Sequence, residues 1–464
     1  MKNYLTTLAL TLLAGVTFWF SPVAHSPDSR WVLPTAVSLL THGDIGLNEY
    51  RAVIKARGTY GLRRKKGEYV NFFPVGPALI ATPFVWGIRR YPEQAEALFG
   101  VRIDGSGESL LQHRRVVEQK IAAVIGAATV GLTFLMLLAI VSLWPAIAVT
   151  VCVGWGSSVW SVGTRGLWQH GPALLFLTAA LCLCVRLSHL GERARGRWGW
   201  GMLLGALLAG AYLMRPTSAV AIIALGAYLG WVDRRWLGPV FLGALPCAAA
   251  FVGQSISWYD HILPPYYRGD GLQLSGTTLE ALLANLVSPS RGIFVMSAWS
   301  LASLWTLRRG ASALVVCLWG WCGLHLLAVS CFDRWWAGHS YGPRFMSEIV
   351  PPLAVLAALA WRDRLRSWPV RGGFLLLVGL AIGAHAPGAL SYATVVWNRY
   401  PRNIDDHPQR IWSLTRPQSL APWYLTTPTP RSRSGDHSPV ATTSGVGTGS
   451  TPSDSIRLPK SSAP

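Results

Sequence analysis

The sequence predicts an all-α polytopic membrane protein, with about 11 transmembrane helices and a large first extracytoplasmic loop bearing interfacial helices. Three observations predict it. Only 13% of the 464 residues are charged, about half the share of a soluble domain. The mean hydropathy is +0.34. Apolar runs of bilayer-crossing length recur along the chain. The net charge of +20 is read as an orientation signal, because the chain has no zinc-finger spacing, no Walker loop and no GxGxxG after a strand. Cys152, Cys182, Cys184, Cys247, Cys317, Cys322 and Cys331 all fall in or beside apolar runs. They give no disulfide framework and no metal pair, and read as small packing residues.

The first run, 4–23, follows a single Lys2. It has the length of a retained span, and a small-residue site near Ala24 also suits a cleaved signal peptide. We read it as a span because more follow, at about 121–143, 145–162, 170–188, 199–214, 217–232, 237–256, 292–306, 311–331, 347–361 and 372–397. With the N-terminus cytoplasmic, the short inner loops 189–198, 233–236, 307–310 and 362–371 hold eleven arginines, Arg193, Arg195 and Arg366 among them. That is the positive-inside pattern.

The outer face then receives the first loop, 24–120, and the C-terminal tail. Within that loop, DSRWVLPTAVSLLTHG (28–43) has helical apolar spacing and reads as an amphipathic helix on the outer surface. FFPVGPALIATPFVWGI (72–88) reads as interfacial or re-entrant, since a crossing there would turn all four arginine loops outward. RRKK at 63–66 lies in the same loop, which is too long to count against the orientation. Residues 1–425 are expected to form one membrane domain, with 398–425 docking on the outer face. Residues 427–464, rich in Ser, Thr, Pro and Gly, are expected to be disordered.

The spans contain almost no acids, which argues against an ion-coupled transporter. Polar residues gather instead at the outer span ends. They are Asp28 and Arg30 in HSPDSRW, Arg165 and His170 in GTRGLWQHGP, Arg215 in LMRPTS, Arg291 in LVSPSRGIF, and His339, Tyr341 and Arg344 in FDRWWAGHSYGPRF. Each alone reads as a cap or a snorkelling side chain. Together, Arg165, Arg215, Arg291 and Arg344 stand beside Gly or Pro at one face, and suit a lipid-linked phosphate. Trp31, Trp168, Trp335, Trp336, Trp412 and Trp423 read as an interfacial belt or as platforms for a sugar ring.

In this order, HSPDSRW, AVSLLTHGDIGLNEY, NFFPVGPALIATPF, LWQHGPALL, LMRPTSA, SPSRGIF and WWAGHSYGPRF resemble the multi-span glycosyltransferases of the GT-C superfamily. That superfamily includes protein O-mannosyltransferases, lipid A aminoarabinose transferases and bacterial relatives similar to glycosyltransferase family 39. The resemblance covers about residues 1–425. It implies transfer of a sugar from a polyprenyl-phosphate donor to an acceptor on the extracytoplasmic face. Asp28 would be the catalytic base, and 28–43 and 72–88 the interfacial elements framing the site. The expected phosphate ligands are Arg291, Arg344, Arg215 and Arg165. Arg30, His170, Tyr341, His339, Trp335 and Trp336 are expected to orient substrate. Many members of the superfamily carry two neighbouring acids where this chain has Asp28 alone. Asp44 and Glu49 stand farther along and read as solvated loop acids. No cofactor is evident, and a divalent cation stays open. The acceptor (lipid, glycan or protein) and the sugar are not encoded in any motif. The alternatives are a transporter or flippase of lipid-linked sugars, and a non-catalytic membrane scaffold.

Overall fold

A computed structural model describes residues 2–188, 196–269, 271–308, 312–364 and 367–425. The expected disordered tail 427–464, and Arg193, Arg195, Arg309 and Arg366 of the inner loops, lie outside the described residues.

The first apolar run forms α1 (Lys2–Trp19). The Thr7, Thr11 and Thr17 hydroxyls donate to carbonyls four residues back, so the helix stays apolar in effect. Then come α2 (Val32–Thr41), α3 (Arg51–Arg57), a hairpin of β1 (Leu62–Lys65) and β2 (Glu68–Asn71), α4 (Gly76–Arg90), α5 (Pro92–Phe99) and α6 (Gly107–Gln112). Lys66 and Gly67 turn the hairpin with positive φ at both positions, +50° and +83°, the tight turn that matches strand twist.

α2 departs from expectation. It does not lie on a surface: Val32, Leu33, Thr35, Ala36, Val37 and Ser38 are buried, and α4 and α6 pack against it. Its polar side can be buried because the Thr35 hydroxyl donates to Trp31 O and that of Ser38 to Gly46 O. α4 carries Pro83 and has 15 residues, about 22 Å of helix, short of a ~30 Å hydrocarbon core.

The remaining chain is the bundle: α7 (Arg114–Leu137), α8 (Leu143–Trp155), α9 (His170–Ser188), α10 (Arg197–Met214), α11 (Ala219–Asp233), α12 (Leu237–Tyr259), α13 (Thr278–Val287), α14 (Ile293–Met296), α15 (Ala313–Ser330), α16 (Val350–Arg364), α17 (Trp368–Leu390), α18 (Ala393–Val396) and α19 (Ala421–Tyr424). Among the described residues, seven runs are long and apolar enough to cross a membrane, and one of them, Pro216–Tyr259, holds both α11 and α12. The chain is therefore an all-α, multi-pass membrane protein. Every apolar run expected to span coincides with helical structure, but 292–306 is not one α-helix. There α14 gives way to a 3₁₀ stretch, Ala298–Arg308, in which the Ser303 and Thr306 hydroxyls donate to carbonyls three residues back and favour the tighter winding.

α16 is the centre of the bundle. Leu353 to Ala358 are buried on every side, as a helix apolar all round must be. α7 sets the polarity. Gln119 Nε2 donates to Phe18 O at 2.6 Å, holding its start to the end of α1. At its far end, Arg186 donates to Leu135 O and Arg362 to Ile140 O. The 24 residues of α7 separate these two ends by about 36 Å. The Asp28 turn and the arginine-bearing ends of α9 and α16 thus lie at opposite ends of the bundle.

The spans are less free of acids than the sequence reading had them. Glu118 and Glu348 lie within crossing segments, and both are buried. The tryptophans correct the belt reading: Trp31, Trp168 and Trp335 are buried, whereas Trp423 is exposed.

Candidate functional site

Asp28 sits in a tight turn fixed on three sides. Ser29 N donates to Ser26 Oγ at 3.3 Å, and Arg30 N to Pro27 O at 3.3 Å. From α7, Arg114 donates to Ser26 O at 3.0 Å, and Glu118 accepts the Ser29 hydroxyl. His25 N donates to Arg165 O at 3.0 Å, tying the turn to the segment before α9. The fastening acid, Glu118, is absent from the sequence reading. Its signal is an acid in the first turns of a long apolar helix.

Both oxygens of Asp28 are engaged. Arg344 Nη2 donates to Oδ2 at 2.6 Å, and the Tyr60 hydroxyl donates to Oδ1 at 2.7 Å. Burial first, and the Asp28 carboxylate second, push the Tyr60 phenol up, so it remains a donor. The Arg30 guanidinium stands 6.0 Å from the centre of the Tyr60 ring.

Behind Asp28 runs a chain of buried polar groups. Arg344 Nε donates to His170 Nε2 at 2.8 Å, and its guanidinium lies 4.0 Å from the centre of the Trp168 ring. Arg215 Nη1 lies 2.9 Å from His170 Nδ1 and 2.8 Å from Glu348 Oε1. Thr217 adds its hydroxyl to the same Oε1 at 2.8 Å. Either tautomer of an imidazole offers one lone pair, so His170 accepts from one of the two guanidiniums at a time. Glu348 Oε2 and His325 Nδ1 face each other at 3.6 Å, each without a hydrogen bond.

Breaks in the spans put these groups together. α10 ends at Met214, Arg215 is extended, and Pro216 opens the next turn, so the arginine projects from a gap between helices. Arg344 follows Gly342, whose φ of +53° is a left-handed conformation. His170 opens α9, where a Cβ on Gly171 would meet Gly163 O at 2.8 Å, so only glycine permits that approach.

The other expected ligands lie elsewhere. Arg165 donates through Nε to Gly388 O at 2.8 Å and through Nη2 to Thr394 Oγ1 at 2.8 Å, with Tyr341 against its face. Tyr341 itself donates to Ala384 O. Arg291 is buried among acceptors: Trp336 O at 3.0 Å, Ser290 O at 3.1 Å, Ser340 O at 3.3 Å and the Gln418 amide. Trp336 donates to Asp405 at 3.0 Å, and His339 meets Asn403 at 2.7 Å. Trp335 packs with Trp397, Ile404 and Ile411. Arg291, Trp335, Trp336 and His339 thus fasten segment 398–425 to the bundle. Asp44 accepts from Ser38 Oγ and Gly46 N and closes a local turn. Among the described residues, no three His, Cys, Asp or Glu side chains are grouped to hold a metal ion.

An apolar cleft of about 540 Å³ opens between α10, α11 and α12, lined by Leu208, Tyr212, Leu213, Ile222, Val240 and Phe251 among others. The Tyr212 ring packs against that of Tyr267 at 5.3 Å, tilted by 58°, and the neighbouring Tyr266 accepts Gln169 Nε2 at 2.6 Å, one residue from His170.

No protein-family model and no curated protein matches the chain. Two solved structures do. One is ArnT from Cupriavidus metallidurans bound to undecaprenyl phosphate, with a TM-score of 0.53 and 14% identity over 84% of this chain and 68% of that one. The other is the apo state of the same protein, with a TM-score of 0.52 and 16% identity over 85% and 66%. The chain thus spans about two thirds of the length of ArnT. At this identity the likeness is one of fold.

Proposed function

We propose that this chain, which has the GT-C fold, transfers a sugar from a polyprenyl-phosphate donor to an acceptor on the extracytoplasmic face, with Asp28 as the base. The observation that carries the reading is the pairing of Asp28 with Arg344, backed by His170, Arg215 and Glu348, with an apolar cleft whose lining includes Leu213, two residues from Arg215. A polyprenyl chain needs such a cleft, and its phosphate needs guanidiniums that keep their charge when buried. ArnT, of the same fold, is described bound to undecaprenyl phosphate. The extracytoplasmic placement rests on the arginine-bearing ends of α9 and α16, which lie opposite the Asp28 turn and are the cytoplasmic ones by the positive-inside rule.

In the ligand-free arrangement Arg344 and Tyr60 occupy both Asp28 oxygens. The donor phosphate competes with Asp28 for Arg344, and its arrival frees an oxygen to receive a proton. The acceptor hydroxyl or amine then attacks the anomeric carbon while Asp28 takes its proton. The bond from that carbon to the phosphate oxygen breaks, and its electron pair leaves on the phosphate. Inversion follows from a single displacement. The phosphate gains one negative charge as Asp28 loses one, so the charge held against Arg344 and Arg215 is unchanged across the step. Those fixed cations stabilise the leaving group. Glu348 holds Arg215 in place.

The test is reconstitution of the purified protein with a polyprenyl-phosphate sugar and an acceptor extract from a strain lacking the protein. Acceptor-dependent release of polyprenyl phosphate supports transfer. Movement of the intact donor across the bilayer without release would make the protein a flippase.

A further inference from the structure

We infer that α3 and the β1–β2 hairpin form a docking surface for the phosphate groups of anionic membrane lipids. Arg51, Lys55, Arg63, Arg64 and Lys66 are exposed there, and Lys65 is half-buried. Among the described residues, Lys66 alone of these has an ion-pair partner, Asp260 at 3.2 Å. The acids nearby are Asp44, Glu49, Glu68 and Asp260, four against six cations. A merely solvated face usually mixes signs evenly; this one keeps an excess of cations. Arg63 rests its guanidinium 4.7 Å from the centre of the Phe72 ring, which leaves its in-plane N–H groups directed outward.

The depth of this surface follows from Lys66. Its ammonium donates to Ser257 O at 2.6 Å, in the last turn of α12. α12 closes the crossing run Pro216–Tyr259, so its end lies where hydrocarbon gives way to headgroups. Beside that end, Ile256 and Ile262 are 49% and 59% exposed, apolar side chains at the same boundary. Cations above exposed isoleucines at the end of a span meet a plane of phosphates. Each such cation strengthens attachment to an anionic surface about five-fold. The hairpin is itself rooted, because Leu62 is buried with Trp31, Tyr50 and Ile54.

The inference stands apart from the transferase reading, since its test uses no transfer. Purified full-length protein in a neutral detergent would be titrated with dioctanoyl phosphatidylglycerol or dioctanoyl phosphatidylcholine, and bound lipid counted by native mass spectrometry. Phosphatidylglycerol is expected to bind at least about ten-fold more tightly, and to weaken as salt rises. The variant Arg63→Gln/Arg64→Gln/Lys65→Gln should lose on the order of 100-fold, whereas Arg63→Lys/Arg64→Lys should retain the preference. Equal binding of the two lipids by the wild type, or full phosphatidylglycerol binding by the neutral variant, would overturn the inference. So would displacement of the lipid by inorganic phosphate at equal concentration, which would assign the surface to a soluble anion.

Discussion

Arg344 donates to Asp28 at 2.6 Å across 316 residues of chain, and this contact joins the turn after the first helix to the break before α16. The carboxylate that would take a proton is thus held by the guanidinium that would take the phosphate. The predictions follow from how each end of that contact is supported.

The Arg215–Glu348 pair is almost fully buried, with side-chain exposures of 4% and 0%. Glu348→Gln removes one charge and leaves the other uncompensated, at a cost of about 3–5 kcal/mol. Thermal unfolding should show that loss in Glu348→Gln. It should show a smaller loss in the double variant Arg215→Gln/Glu348→Gln than the two single losses sum to.

Glu118 and Ser29 fasten the Asp28 turn without touching its carboxylate. Glu118→Gln and Ser29→Ala should lower kcat by up to about 100-fold through misplacement of the base. The KM for the donor should change little, because the phosphate side of the site is intact. A raised donor KM with unchanged kcat would place Glu118 on the phosphate side instead.

His25 has its pKa lowered from 6.5 to about 4, by burial first and then by Arg165, Arg115, Arg399 and Arg114. The folded protein holds the ring neutral, while the unfolded chain takes up a proton below about 6.5. The ring's stability contribution is therefore complete above that pH and is lost as pH falls toward 4, on the order of 3 kcal/mol in all. His25→Gln should flatten the fall in melting temperature between pH 7 and pH 4.

Thr59 and Ser367 are exposed at opposite ends of the bundle. The native cysteines are buried or half-buried. In intact cells an impermeant thiol reagent should label Thr59→Cys and spare Ser367→Cys. The reverse pattern would invert the orientation and move the Asp28 site to the cytoplasmic side.

The helical bundle was legible because apolar runs and loop arginines are local signals. Asp28, Arg215, His170 and Arg344 were legible as polar residues beside Gly or Pro at span ends, and those four do meet. The same signal also selected Arg165 and Arg291, which bond to backbone and amide groups at Gly388, Ser340 and Gln418. Nothing local separates an arginine awaiting a ligand from one already satisfied by distant carbonyls. Tyr60 and Glu348 were missed for a related reason. A tyrosine in a polar loop and a glutamate at the head of an apolar run look ordinary until the fold closes them on Asp28 and Arg215. The burial of α2 was also hidden, because its Thr and Ser hydroxyls are satisfied within the loop.

The most direct test compares wild type and Asp28→Asn, purified and supplied with polyprenyl-phosphate sugar and acceptor, by the rate of polyprenyl phosphate release. If Asp28 is the base, release falls by about 10²- to 10⁴-fold, while the variant accumulates normally and still binds the donor lipid. Release at the wild-type rate from Asp28→Asn would contradict the assignment.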